Sequence, residues 1–259
     1  MSALIAALLA SSLAAGPAER ELVIERQQWS RAVDGPDPID ALEVRNDFGD
    51  IRARLATDHN LDASMVVQRL DPVGEKVGFT VERRGRAVAL VVSYPPGRVR
   101  DAVAQPAKDS YDRLDLVVFV PAGVALHAHT LRGRVEVSGL KSDVEAATRD
   151  GPIYLRTAGT MQARTVSGEI QALPVAATLG TQGPPFVLQS VSGTINVTLE
   201  GQPYPELRLE SAGPITTDLP VSRAAQGTRV RVTSPGAGSP RLLLVSSETG
   251  SVRVERDEP

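Results

Sequence analysis

The 259-residue chain contains no cysteine. Disulfide staples, thiolate catalysis, cysteine metal sites and a lipid-modified cysteine behind a leader are all excluded by that absence. Aromatic residues make up only 3 % of the chain, with a single tryptophan, Trp29, so aliphatic side chains must fill any core. An excess of charge is lacking too: 28 basic against 31 acidic residues leave a formal net charge of −3. That balance supplies no basic field for nucleic acid, and no polybasic run offers a grip on anionic lipid. No Walker, Rossmann, metalloprotease or calcium-nonapeptide motif is present, and nothing implies a cofactor.

What is there begins with an apolar run, Ala3 to Ala10, followed by Ser11, Ser12, Leu13, Ala14 and Ala15. It is too short to span a bilayer, which needs about 20 residues. Residues 1–18 read as a secretory signal peptide with small residues at Ser12/Ala14 and Gly16/Ala18 as cleavage points, although no Lys or Arg precedes the run. The expectation is an exported protein, periplasmic or secreted, with no stable membrane span after cleavage. Residues 19–38 read as a polar lead-in, with Trp29 plugging one end of the core and the breaker run Asp34-Gly35-Pro36-Asp37-Pro38 closing it.

Residues 39–259 then form a single β-repeat domain. Gly, one residue, Ile or Val, one residue, and an apolar or small residue recur at Gly133-Arg134-Val135-Glu136-Val137, Gly151-Pro152-Ile153-Tyr154-Leu155, Gly168-Glu169-Ile170-Gln171-Ala172 and Gly193-Thr194-Ile195-Asn196-Val197. Shorter copies begin at Gly49, Gly213 and Gly250, and a degraded one lies around Gly227 to Val232. Period-two alternation on either side of each glycine means short strands with one buried face. A unit of about 18 residues cannot bury that face alone, whereas stacked units can. The pattern therefore predicts an all-β fold of stacked strand repeats, solenoid-like or β-helix-like, over residues 124–255. A β-sandwich of meandering hairpins is the alternative. Glu136, Tyr154, Gln171, Asn196 and Thr216 would form an outer column. Residues 61–120 depart from the repeat and read as an antiparallel insert, with Val77-Phe79-Val81 and Val88-Leu90-Val92 flanking a hairpin turn. The charged segment after Gly250 would shield an open end from further strand addition.

Val120-Pro121-Ala122-Gly123 followed by Thr165-Val166-Ser167-Gly168-Glu169-Ile170 and Ser190-Val191-Ser192-Gly193-Thr194-Ile195 resembles the bacterial putative-adhesin β-strand-repeat domain family, from about residue 40 onward. The resemblance implies a β-solenoid-like domain at the cell envelope, with some relatives linked to envelope-stress responses, and it carries over no catalytic residues. No sorting motif, lipidated cysteine or outer-membrane barrel accompanies it, so a periplasmic or secreted protein is expected.

Few residues carry chemistry. His59 sits in a polar loop. His127 and His129 alternate with inward-facing Leu126 and Ala128, so both point outward on one face. Stacking would set Glu145 of the next coil about 4.8 Å from His127, making His127, His129 and Glu145 a candidate zinc site of two imidazoles and one carboxylate. The competing reading is an exposed polar strand face. The Ser-x-Ser-Gly serines lack the elbow and ordered partners of a hydrolase. Asp143, Asp150, Arg149 and Arg164 are the nearest approximation to the charged groove of a polysaccharide lyase. Of the aromatics Tyr94, Tyr111, Tyr154, Phe186 and Tyr204, only Tyr154 falls on the outer column, which argues against a glycan-stacking platform. The reading that results is a non-enzymatic, adhesin-like or envelope-binding scaffold that contacts an envelope component or protein partner, by strand addition among other routes. An envelope-stress sensing component and a β-helix lyase or hydrolase are the alternatives.

Overall fold

Alternating apolar and polar residues interrupted by glycine at short intervals fold into short strands joined by tight turns. A computed structural model of the chain describes residues 23–34, 36–69, 76–95, 112–175, 182–200, 204–227, 229–235 and 238–257. The signal-peptide segment 1–18 lies outside them, as do residues 96–111 of the insert, Tyr111 among them. Every element among the described residues is a β-strand, and the strands make two mixed sheets.

Strands are numbered here in chain order, and a coil is one strand from each sheet joined by a turn. The central coils are β8–β9 (Ala125–Arg132, Val135–Leu140), β10–β11 (Val144–Thr148, Ile153–Thr157), β12–β13 (Met161–Thr165, Ile170–Pro174) and β14–β15 (Phe186–Ser190, Ile195–Glu200). Each strand pairs in parallel with its counterpart in the next coil. Val135, Ile153, Ile170 and Ile195 thereby stand in one buried column, and Ala128, Ala146, Ala163 and Leu188 in another. Burying each Ile or Leu side chain contributes about 1.5–3 kcal/mol. The inward residues of both sheets belong to one apolar core. Two facing sheets are what the sandwich reading required, but the central strands are parallel and are not hairpins.

At both ends the stack abandons chain order. β2–β3 (Ala41–Phe48, Ile51–Leu55) pairs with β8–β9 on one side, and on the other with β6 (Ala87–Ser93) and β7 (Arg113–Val120). The coil second in the chain is therefore outermost. At the far end β20 (Gly238–Ser247) and β21 (Val252–Asp257) slot between β14–β15 and β16–β17 (Tyr204–Ser211, Ile215–Thr217). Sequence spacing placed Gly250 after Gly213; the structure reverses them. The charged segment after Gly250 is accordingly an interior strand of its sheet, and the guard on an open end expected of it does not exist.

Antiparallel strands close the two ends. β4 (Asn60–Arg69) runs against β7, and β1 (Val23–Ala32) against β4. β5 (Gly78–Arg84) makes the expected hairpin with β6. β18 (Ser222–Gln226) and β19 (Arg229–Ser234) form a second hairpin laid against β16. The antiparallel reading of residues 61–120 thus holds for β4 and β5, whereas β6 and β7 join the parallel stack. Residues 23–32, read as lead-in, are a ten-residue strand, and Trp29 on it packs partly buried against the core. Gly227 has φ of 63° in the turn of the second hairpin, so no degraded coil exists there.

Candidate functional site

The repeat motif itself builds scaffold. A Cβ on Gly133, Gly151, Gly168 or Gly193 would overlap the carbonyl oxygen of Gly49, Gly133, Gly151 or Gly168 respectively. Gly250 bears in the same way on Gly193, and Gly213 on Gly250. Of these stacked glycines only Gly49 has a positive φ, 139°. Close approach of neighbouring turns, rather than an unusual dihedral, is what demands glycine.

Beside this ladder runs a buried polar one, made of Asn46, Thr130, Thr148, Thr165, Ser190, Ser247 and Ser211. Thr165 Oγ1 accepts the Gly168 N–H at 2.9 Å, Ser190 Oγ that of Gly193 at 2.7 Å, and Ser247 Oγ that of Gly250 at 3.0 Å. Ser211 Oγ donates to the Gly250 carbonyl at 2.6 Å and accepts the Gly213 N–H at 2.8 Å. At the other end Asn46 Nδ2 donates to the Leu114 carbonyl at 2.7 Å, and the Tyr94 hydroxyl lies 2.6 Å from Asn46 Oδ1. Burial raises the pKa of the Tyr94 phenol far above its ordinary value. Ser167 and Ser192 are turn serines bonded to Asp150 Oδ1 and to the Val166 carbonyl.

On the outer face of the sheet containing β9, the expected column of Glu136, Tyr154, Gln171, Asn196 and Thr216 is in register, with Arg52 added before it and Arg253 inserted ahead of Thr216. Glu136 gathers three guanidinium groups: Arg54, Arg52 at 3.8 Å and Arg134 at 4.0 Å. The Arg134 guanidinium also lies 5.5 Å from the centre of the Tyr154 ring. A shallow groove of about 310 Å³ runs beside these groups.

The opposite face carries a larger groove of about 550 Å³, lined by Glu43, Arg45 and Asp47 of β2, His127 and His129 of β8, and Glu145 of β10. Glu43, His127 and Glu145 are direct cross-strand neighbours, as are Arg45, His129 and Ala147. His127 Nδ1 lies 3.2 Å from Glu145 Oε2, with both side chains about half exposed. The pairing of His127 with Glu145 across one strand spacing was legible in the repeat. The presence of β2 on the other side, which brings Glu43 and Arg45, was not. Counting back three residues from Gly49 and Gly133 aligns Asn46 with Thr130, and that count could have found it. His129 faces Arg45 and Ala147, not a carboxylate. No group of three His, Cys, Asp or Glu side chains that could hold a metal ion comes together among the described residues.

The residues considered for lyase chemistry are dispersed. Asp143 Oδ1 accepts the Thr160 N–H at 2.7 Å in one turn, and Asp150 pairs with Arg132 and Arg149 in another. Arg164 stands on the outer face in register with Ala147. His59 is an exposed loop residue 2.9 Å from Asp34. Phe186 is buried beneath the Arg241 guanidinium, and Tyr204 packs against the core.

No protein-family model matches the chain, and no curated protein matches it. Among solved structures it is similar to one described as a putative cell adhesion protein from Clostridium sporogenes, at 10 % identity and a TM-score of 0.48, covering 90 % of this chain and 100 % of that one. It is also similar to a putative adhesin from Bacteroides fragilis, at 10 % identity and a TM-score of 0.33, covering 90 % and 97 %. A putative lipid binding protein from Parabacteroides distasonis matches at 11 % identity and a TM-score of 0.29, covering 91 % and 97 %. Among the described residues no helix is long and apolar enough to cross a membrane.

Proposed function

We propose that this chain is an exported, non-enzymatic β-repeat scaffold that binds a component of the cell envelope, in the manner of an adhesin, through the face centred on His127. The observation that carries this reading is the groove itself. Glu43, His127 and Glu145 stand in one row and Arg45 and His129 in the next, on strands locked in register. Neighbouring rungs about 4.8 Å apart present donors and acceptors at a fixed repeat, which suits a polar, extended ligand rich in hydroxyl or amide groups. The surface is open, and an open surface does not exclude water from a reacting centre. Rigid presentation of side chains is what a stack of paired strands provides best. The residue pattern shared with the adhesin-type repeat family, and the leader-like segment at residues 1–18, support export and an envelope location.

Cosedimentation with isolated peptidoglycan, outer-membrane vesicles and whole envelope fractions tests the proposal. The parent protein is expected in the pellet with at least one of them. A His127→Ala, Glu145→Ala variant is expected in the supernatant, with an unchanged urea midpoint because both side chains are half exposed. A parent that stays in the supernatant throughout would overturn the reading.

A further inference from the structure

An edge strand presents a row of unpaired N–H and C=O groups, and proteins blunt such edges with short strands, charge, proline or bulges. The two sheets have four edges among the described residues: β1 and β17 in one, β5 and β18 in the other. Three are blunted. β17 has three residues and follows Pro214. β18 has five and runs straight into the Gly227 turn. β5 ends in three consecutive charged residues, Glu82, Arg83 and Arg84. β1 also carries three charged residues, Glu25, Arg26 and Arg31, but it is longer than the other edges and they are spread along it. It has ten residues, contains neither proline nor glycine, and keeps an unbroken ten-pair register with β4. It also exposes Ile24 by 54 %.

The order of side chains along β1 says what fits there. Turned antiparallel about Gln28, the strand faces its own copy with Glu25 against Arg31 and Arg31 against Glu25. Arg26 then meets Ser30, Ile24 meets Ala32, and no like charges oppose each other. A shift of one residue in one direction sets Arg26 against Arg31, and in the other direction removes both ion pairs. The register about Gln28 also opposes residues of equal parity, which keeps the two apolar cores on the same side of the merged sheet. Glu25 is prepared for a further cation: Arg69 and Lys76 both engage its Oε1, at 3.0 and 3.6 Å. Its Oε2 has no ion-pair partner among the described residues, and neither has Arg31.

We propose that β1 is the seat of a two-fold contact, in which β1 of a second copy adds antiparallel and joins the two sheets edge to edge. The contact is isologous, so the assembly closes at two copies. Two binding faces then move as one body, and their effects on affinity combine through effective concentration.

The absence of native cysteine makes the test direct, because a single introduced thiol can bridge only to another copy. In the proposed register the two Gln28 Cα atoms lie about 4.5–5.5 Å apart, within disulfide range. The full chain carrying Gln28→Cys is expected to oxidise to a covalent dimer. Arg26→Cys or Ser30→Cys alone should form no covalent dimer under the same conditions, since four residues of strand separate each from its own copy. A mixture of these two variants should cross-link. Arg31→Glu turns both ion pairs into like-charge pairs and should weaken the dimer about tenfold or more in sedimentation across a concentration series. Sedimentation of the parent as a monomer throughout that series would overturn the proposal, and would leave the edge to an extended segment of another protein. Equal cross-linking of Arg26→Cys and Gln28→Cys would overturn it as well.

Discussion

Gly168→Ala separates two effects that push in opposite directions. Gly168 does not have a positive φ, so alanine is conformationally acceptable there, and the reduced freedom of the unfolded chain would by itself stabilise the protein by about 0.4–1 kcal/mol. Against that, the new methyl group would overlap the Gly151 carbonyl oxygen, far inside the 3.0 Å that Cβ atoms rarely cross, while sitting 3.0 Å from Thr165 Oγ1. The oxygen belongs to backbone held by pairing on both sides, and it would have to retreat by more than about 1 Å to reach ordinary contact. Overpacking of that kind costs about 1–3 kcal/mol, and each ladder hydrogen bond lost adds about 1 kcal/mol. The steric effect wins, with an expected net loss of about 2–4 kcal/mol from a stability on the order of 10 kcal/mol. Gly78→Ala is the control, because its Cβ would meet only Ser93 Oγ at 3.6 Å. It is expected to be neutral or slightly stabilising. Urea unfolding of the three proteins, compared at constant m, measures the difference. If Gly168→Ala proved as stable as the parent, close approach would not be the reason for glycine in this repeat.

Thr165→Val keeps the shape of the side chain but leaves the buried Gly168 N–H without its acceptor, and should cost about 1–3 kcal/mol; Thr165→Ser should lose less, with the Gly168 amide remaining protected in hydrogen exchange. The Arg69 hydrogen bond holds the Glu25 carboxyl below its ordinary value of 4.5, and the Arg229 bond does the same for Glu210. Because both folded pKa values are depressed, the stability they contribute is present above pH 4.5 and is lost as pH falls through the folded values. The urea midpoint should therefore drop below that pH, and Glu25→Gln with Glu210→Gln should make the drop shallower. Deletion of residues 238–257 removes a coil from inside the stack, so circular dichroism and urea titration should show loss of cooperative unfolding, not the graded loss expected of a terminal repeat.

The central coils were legible because two local signals agree. Period-two alternation sets which residues face inward, and the glycine count sets which residues are neighbours. His127 and Glu145 were paired by that arithmetic alone. The exchanged coils at the ends were not legible, because Gly250-Ser251-Val252 and Gly213-Pro214-Ile215 present the same face chemistry to whichever coil arrives. Nothing local in either says which is adjacent to Gly193. β1 was missed for a different reason: Glu25, Gln27 and Trp29 make its inner face, and only one of the three is apolar, so the alternation that marks a strand is nearly silent there. The hydroxyl ladder was in plain view as Thr or Ser three residues before most repeat glycines. That these side chains form one continuous buried column follows only from the register of the stacked strands.

The insertion of β20 and β21 between older neighbours has a consequence for how the molecule reaches its final form. β14 and β16 both pair in parallel with β20, so each is competent to pair with the other before residues 238–247 are in place. Such a short circuit would bury nearly the same apolar columns in a stack one coil too few, and would leave β20 and β21 outside. Escape requires parting two satisfied strand pairs, the kind of trap that slows larger β proteins. A chain wound in simple order would complete itself turn by turn. This one is fastened by β20 and β21, which enter as a keystone does between strands that precede them in the chain.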